Sequence, residues 1–310
     1  MDKKETSVDV LIIGGGAAGL SAALYAARYG LKTLVVSDVF GGTGGKAHRV
    51  CNYPGVSESG GFELMNKFKE HALGAGAELI SDLVTNIKKL RSGFSVTTKQ
   101  GDIYLAKALI LALGTKRKKL GLVKEDQFLG KGISYCFTCD GMFFKDKKVA
   151  VVGGGNAAVT AALYFSEISS KVYLIYRGSK LKAEAAWIKN LSTKKNVEVI
   201  YQTNVIDVCG TEKLEGIVLD KSYNSEKNLS VDGLFVEIGE FPNDQFNKLL
   251  GLKTNKEGYI VVDEEARTNV KGVWAAGDFT TGSSGFRQIV TAASEGAIAA
   301  NSVFKFLKKE

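Results

Sequence analysis

The chain has 310 residues, 45 % of them hydrophobic and 24 % charged, and its 41 Lys and Arg outnumber 33 Asp and Glu to leave a net charge of +8. A chain this long buries about three quarters of its unfolded surface, so it needs neither metal nor disulfide to cohere, and it is comfortable for two domains. Four scattered cysteines (Cys51, Cys136, Cys139, Cys209) exclude a secreted disulfide framework and fit a reducing compartment, where a close pair is more often catalytic or metal-binding.

The opening "MDKKETSVDVLIIGGG" lacks the long apolar segment of a signal peptide, and runs such as "ALILALG" are too short to cross a bilayer. The expectation is a cytoplasmic protein with no membrane association. "KRKK" (116–119) has no nucleic-acid motif around it and reads as a solvated loop, so no nucleic-acid partner is expected. The basic balance suits an acidic protein or a phosphorylated cofactor instead.

In chain order, "VDVLIIGGGAAGLSAALYAARYGLKTLVVS" (8–37) predicts strand, glycine turn, helix and strand. Gly14, Gly16 and Gly19 make G-x-G-x-x-G. The first allows the tight turn, the second lets a pyrophosphate approach the backbone, and the third lets helix pack on strand. The helix N-terminus then offers free N–H groups to phosphates. "AKALILALGT" (106–115) predicts a buried strand ending in a turn at Gly114. "KKVAVVGGGNAAVTAALYFSEISSKVYLIYR" (147–177) repeats the first pattern, with Gly153, Gly155 and Ala158 in the G-x-G-x-x-A form. "GVWAAGDFTTG" (272–282) predicts a short strand ending in Gly277-Asp278, and the segment from Arg287 a long closing helix. The second βαβ unit is thus inserted into the first domain, with boundaries near 117 and 242.

Gly14–Gly19, "YCFTCDG", the second "GGGNAA" and "GVWAAGDF…FRQ", in this order along nearly the whole chain, resemble the low-molecular-weight thioredoxin reductases, which are FAD flavoproteins. The resemblance implies an α/β protein of two Rossmann-like three-layer domains: a discontinuous FAD domain (1–116 and 242–310) around an NAD(P)H domain (117–241) carrying the Cys pair. It also implies a homodimer acting on a thioredoxin or glutaredoxin-like protein. By position, Gly14, Gly16, Ala17 and Ala18 belong at the FAD pyrophosphate, Gly114 in the flavin site, and Ser37 at the adenosine ribose. Gly42 and Asn52 match a flavin-contacting loop in which Thr43 stands for the usual Gln and Cys51 for the usual Glu. Asp278, Arg287 and Gln288 match the closing FAD motif.

Cys136 and Cys139 admit three chemistries. A four-cysteine zinc site needs a second pair, and Cys51, Cys209, His48 and His71 are isolated. A structural disulfide over so short a loop constrains little. Redox cycling remains, and a helix start would favour a thiolate there. The resemblance makes Cys139 the flavin-proximal thiol, Cys136 the one that attacks the partner's disulfide, and Asp140 the proton donor and acceptor. On residue type alone Asp140 is a helix cap.

The donor is less determined. The nucleotide would lie on Gly153, Gly155, Asn156 and Ala157. NADPH-using relatives follow the second strand with His-Arg-Arg…Arg; here Tyr176 replaces His, Arg177 is kept, Gly178 replaces the second Arg and Lys182 the last, while Thr160 replaces a Glu. Lysine is a poorer fork than arginine for a 2′-phosphate. NADPH, NADH and a non-nicotinamide donor (ferredoxin or deazaflavin) all stay open, with NADPH first because the glycine turn is intact. A dithiol oxidase passing electrons to oxygen is the competing enzyme, and a flavin- or zinc-binding structural module the non-enzymatic alternative.

Overall fold

The apolar run Val10–Ile13 forms the inner part of strand β1 (Glu5–Gly15) in the computed structural model, which describes residues 5–47 and 50–308. The chain turns at Gly14–Gly16 into helix α1 (Ala17–Arg28) and returns as β2 (Thr33–Phe40), parallel to β1 with Leu11 opposite Leu34. There follow α2 (Gly61–Gly74), β3 (Glu78–Ser81), β4 (Val84–Lys89), β5 (Phe94–Thr98) and β6 (Ile103–Leu111).

The chain then enters a second unit. Strands β7 (Thr115–Arg117) and β16 (Glu240–Pro242) lie at its two crossings, and between them come β8 (Ile133–Ser134), α3 (Phe137–Asp140), β9 (Lys148–Val152), α4 (Asn156–Ile168), β10 (Lys171–Tyr176), α5 (Ala185–Leu191), β11 (Val197–Tyr201), the strands β12 (Val205–Gly210), β13 (Leu214–Tyr223) and β14 (Glu226–Ser230), and β15 (Gly233–Val236). Its main sheet runs β11-β10-β9-β15-β8, parallel throughout, while β12-β13-β14 form an antiparallel sheet. Successive β9 residues go to opposite faces. Ala150 and Val152 join Ile175, Ile217 and Leu234, whereas Val149 and Val151 meet Ala158, Val159, Phe165 and Phe235 on the helix side. A sheet covered on both faces requires such an unbroken apolar run.

The last stretch, α6 (Asn247–Leu250), β17 (Val273–Ala275) and α7 (Ile289–Leu307), completes the first unit. Its sheet reads β3-β2-β1-β6-β5-β4, with β17 also parallel on β6. Val10, Ile12, Val35 and Ile110 face the alanines of α1 and α7; Leu11, Ile13, Val36 and Leu109 face the other way, with Phe246 and Ile260. Gly296 permits the α1–α7 approach, since a Cβ there would overlap the Ala18 carbonyl.

The two compact units are Met1–Lys116 with Phe241–Glu310, and Arg117–Glu240. The second crossing falls one residue before the sequence-based boundary, and β7 and β16 run side by side there. The closing helix begins at Ile289 rather than Arg287, because Gln288 is its extended N-cap. Among the described residues no helix is long and apolar enough to cross a membrane.

Candidate functional site

In an open α/β sheet the ligand crevice lies beyond the carboxyl ends of the strands, where the strand order reverses. In the first unit that point lies between β1 and β6, and the Gly14–Gly16 turn stands on it. Gly14 has φ +109°, and a Cβ there would overlap the Ala112 carbonyl; a Cβ on Gly19 would overlap the carbonyl of Gly14. Gly16 differs: its nearest neighbour for a Cβ is the Gly42 Cα at 3.9 Å. The protein's own packing needs the outer glycines and leaves the middle one clear. Gly16 caps α1 without a side-chain hydrogen bond, and no acidic residue occupies the helix's first turn, where Ala17 and Ala18 stand. An anion is therefore favoured there, and these residues fit a cofactor pyrophosphate.

Around this turn the structure gathers distant segments. Gly42 (φ +54°) would put a Cβ 3.1 Å from the Gly16 Cα, and Gly277 one 3.0 Å from the Ala18 Cβ. The Asn52 amide donates to Gln288 Oε1 at 3.0 Å, joining positions 236 residues apart. Arg287 donates from Nε to the Asp278 carbonyl at 3.0 Å and lies 3.9 Å over the Tyr259 ring. Gly114 (φ +62°) has open space beside it. Ser37 is committed locally, its hydroxyl donating to the Val39 carbonyl at 2.8 Å, and Thr43 is exposed at the start of a one-turn helix. Sequence reasoning missed Glu295 on α7. Its carboxylate accepts from the Gly277 N–H at 2.8 Å, the Thr280 hydroxyl at 3.1 Å and the Ser283 hydroxyl at 2.6 Å, fixing the turn that carries Asp278.

The second unit repeats the arrangement. Gly153 (φ +146°) would drive a Cβ into the Glu237 carbonyl, whereas a Cβ on Gly155 would have nothing within 4 Å. Gly155 caps α4 without a side-chain bond, and the turn sits between β9 and β15, where this sheet reverses. The residues fit a second pyrophosphate. Asn156 is held by Glu184: its amide donates to Glu184 Oε1 at 2.9 Å and its carbonyl oxygen accepts the Glu184 N–H at 2.8 Å. Ala157 follows it in the first turn of α4, and Arg177 and Lys182 are exposed beyond β10.

Past the end of β15 lies Glu237, 7 % exposed. Arg117 Nη1 donates to one carboxylate oxygen at 2.8 Å, and the other oxygen is buried without a partner. Burial pushes this carboxyl up to about 7, the adjacent guanidinium offsetting part of the rise.

The Cys136–Cys139 disulfide, with Cα atoms 5.3 Å apart, follows edge strand β8 of this same unit. Cys136 is the N-cap of α3. Its Sγ accepts the Cys139 N–H at 3.2 Å and lies 3.3 Å from the Thr138 hydroxyl, and its own N–H donates to Ser134 Oγ at 2.9 Å. Donors aimed at a sulfur stabilise its thiolate. Asp140, half-buried, makes no capping hydrogen bond. Behind the pair, Phe137 packs on Tyr164 with ring centroids 5.6 Å apart. Upstream, buried Glu125 accepts the N–H groups of Leu120 (2.9 Å), Gly121 (2.7 Å) and Leu122 (3.2 Å) as well as the Tyr135 hydroxyl, tying down the residue before Cys136. Cys51 and Cys209 carry free thiols, and among the described residues no three His, Cys, Asp or Glu side chains converge on a metal position. His48 lies outside the described residues.

The chain matches the pyridine nucleotide-disulphide oxidoreductase family over residues 8–296. It is 40 % identical to a thioredoxin reductase of Treponema pallidum (strain Nichols), over 98 % of each chain. The crystal structure of T. acidophilum thioredoxin reductase shares 39 % identity, covers 97 % of this chain and 99 % of that one, and superposes with a TM-score of 0.91. A ferredoxin-flavin thioredoxin reductase from Clostridium acetobutylicum shares 32 % identity over 99 % of this chain and 100 % of that one, with a TM-score of 0.54.

Proposed function

The chain belongs to the pyridine nucleotide-disulphide oxidoreductases and, within them, to the low-molecular-weight thioredoxin reductases; on that footing we propose that it reduces the disulfide of a thioredoxin with electrons from NADPH. One observation carries this reading. Two phosphate-ready glycine turns and a Cys pair with donors aimed at one sulfur occur in a single chain, the pair in the same unit as the second turn.

Bound at the first turn, FAD would supply the two-electron relay between nicotinamide and dithiol. Gly14, Gly16, Ala17 and Ala18 would hold its pyrophosphate, with Gly42, Gly114, Asp278, Arg287, Gln288, Asn52 and Thr43 around the rest and Ser37 toward the adenosine. Gly153, Gly155, Asn156 and Ala157 would hold the nicotinamide nucleotide, with Arg177 and Lys182 toward its 2′-phosphate. The protein's own chemistry is thiol–disulfide exchange. The Cys136 thiolate, favoured by the Cys139 N–H and the Thr138 hydroxyl, attacks one sulfur of the partner's disulfide and releases the other as a thiolate. Cys139 then attacks Cys136 Sγ in the mixed disulfide, re-forming the intramolecular bond and releasing the second thiolate. Two electrons leave the dithiol, and the two thiolates produced take up two protons. Asp140, next to Cys139, is the group assigned to move them.

Homodimerisation in the cytoplasm completes the proposal, resting on the likeness to this class. A second donor reading rests on the single guanidinium beyond β10: reduced ferredoxin, which the name of the Clostridium acetobutylicum relative pairs with the same scaffold. Anaerobic titration of the oxidised holoprotein with NADPH, NADH and reduced ferredoxin in turn, followed by flavin absorbance, distinguishes the donors. Bleaching by NADPH, and electron delivery to an added thioredoxin, are the outcomes expected. Bleaching by dithionite and ferredoxin alone would transfer the role to the second donor. Cys136→Ser should keep flavin reduction and lose transfer to thioredoxin.

A further inference from the structure

At the carboxyl end of β10 the Tyr176 ring stands between two glycines. A Cβ on Gly154, which lies between Gly153 and Gly155, would be 2.6 Å from the ring Cζ; one on Gly178 would lie 2.6 Å from Cε1 and 2.9 Å from the hydroxyl oxygen. One ring edge fills the space a side chain at 154 would need, and the opposite edge the space one at 178 would need. Neither glycine has a left-handed φ, so the backbone itself would accept an L side chain at both. The ring is what excludes it. The partly buried ring packs against the helix-side core, so displacing it gives up that packing, and the backbone around it is hydrogen-bonded in place. The Lys182 N–H donates to the Gly154 carbonyl at 2.7 Å, Gln202 to Gly178 at 3.1 Å and Thr203 to Tyr176 at 3.3 Å.

In a βαβ nucleotide site the adenosine ribose lies at the end of the second strand. A carboxylate there holds a free 2′-hydroxyl, and arginines there hold a 2′-phosphate. Here that place holds the Tyr176 ring, then exposed Arg177, then a position where a side chain collides with that ring. We infer that Tyr176 and Gly178 act as one coupled pair that sets selectivity at the adenosine 2′-position: while the ring is in place, position 178 cannot supply a second guanidinium, and the site separates 2′-phosphate from 2′-hydroxyl only weakly. The inference rests on the proposal that this unit takes a nicotinamide nucleotide.

The test is a four-protein cycle on the holoprotein: wild type, Tyr176→Ala, Gly178→Arg and the double variant. Calorimetric Kd values for 2′,5′-ADP and 5′-ADP at one ionic strength give the selectivity ratio, and Tm is recorded for each protein. Gly178→Arg alone should lower Tm and leave the ratio within about twofold of wild type. The double variant should regain Tm relative to Gly178→Arg and raise the ratio about tenfold, equivalent to ~1.4 kcal/mol. An equal rise from Gly178→Arg alone, or none from a folded, flavin-loaded double variant, overturns the inference. Should no protein bind either fragment, the nicotinamide proposal falls by itself. The steric coupling is then judged on Tm through Gly178→Ala, which should cost stability beside Tyr176 and not beside Ala at 176; an equal cost in both backgrounds overturns it.

Discussion

Replacing Glu237 by glutamine tests the electrostatics of the second unit. The side chain is buried, bonded to Arg117 through one oxygen and unpartnered at the other. Burial pushes the carboxyl from its ordinary 4.5 up to about 7; Arg117 opposes that rise and nearby Glu240 adds to it. Between those two pH values the folded protein keeps a proton that the unfolded chain has released. The stability tied to this group is therefore complete below pH 4.5 and is lost as pH climbs through 7. At ~1.4 kcal/mol per pH unit, the loss comes to about 3 kcal/mol. Glutamine keeps the shape and an acceptor for Arg117 but does not titrate. The stability difference, variant minus wild type, should thus rise by about 3 kcal/mol between pH 4.5 and 8 whatever its constant offset. Thermal melts of the two holoproteins at five pH values measure it. If the 310 residues melt as one unit, the rise amounts to about 5 °C in Tm difference. A difference that stays flat across that range would show that Glu237 is ionised throughout, and would refute the reasoning.

Glycine substitutions in the first turn should separate fold from ligand. Gly16→Ala should leave the apoprotein Tm nearly unchanged and weaken flavin retention, read as the 450 nm to 280 nm absorbance ratio, whereas Gly19→Ala should cost about 1–3 kcal/mol in urea because of the Gly14 carbonyl. Glu295→Ala strands three donors around Gly277–Ser283 and should cost about 2–4 kcal/mol together with bound flavin; Glu295→Gln should recover part of both. Tyr135→Phe removes one hydrogen bond to a buried carboxylate that keeps three others, and should lower urea stability by about 1–2 kcal/mol.

The doubly wound architecture was legible because its signals are local. Four apolar residues, a glycine trio and an alanine-rich helix stand consecutively in both βαβ units, and their periodicity changes from strand to helix within a few residues. The antiparallel pieces were not legible. In β4, "VTNIKK", only two residues point inward, and in β14, "EKNLS", none is fully buried, so no run of apolar residues announces them. Site contacts that span the chain were equally silent. Asn52 and Gln288 were singled out separately, yet nothing in either segment says that they touch. Glu295 reads in sequence as the polar face of a helix, and only the turn folded onto it gives it partners. Gly178 reads in sequence as a missing arginine, and nothing in the segment says that a side chain there would meet the Tyr176 ring.

The unequal demand for glycine within each turn bears on how such a chain drifts. Folding screens Gly14, Gly19 and Gly153, where any added carbon collides with backbone, but it is indifferent at Gly16 and Gly155. In a mutant library sorted only for well-expressed, folded protein, side chains should accumulate at 16 and 155 while 14, 19 and 153 stay bare. Sorted for electron transfer, the same library should keep all five. The middle glycine of each motif thus carries no packing demand, and on the proposed function a lineage that changed electron donors would lose Gly155 first with its Cys pair intact.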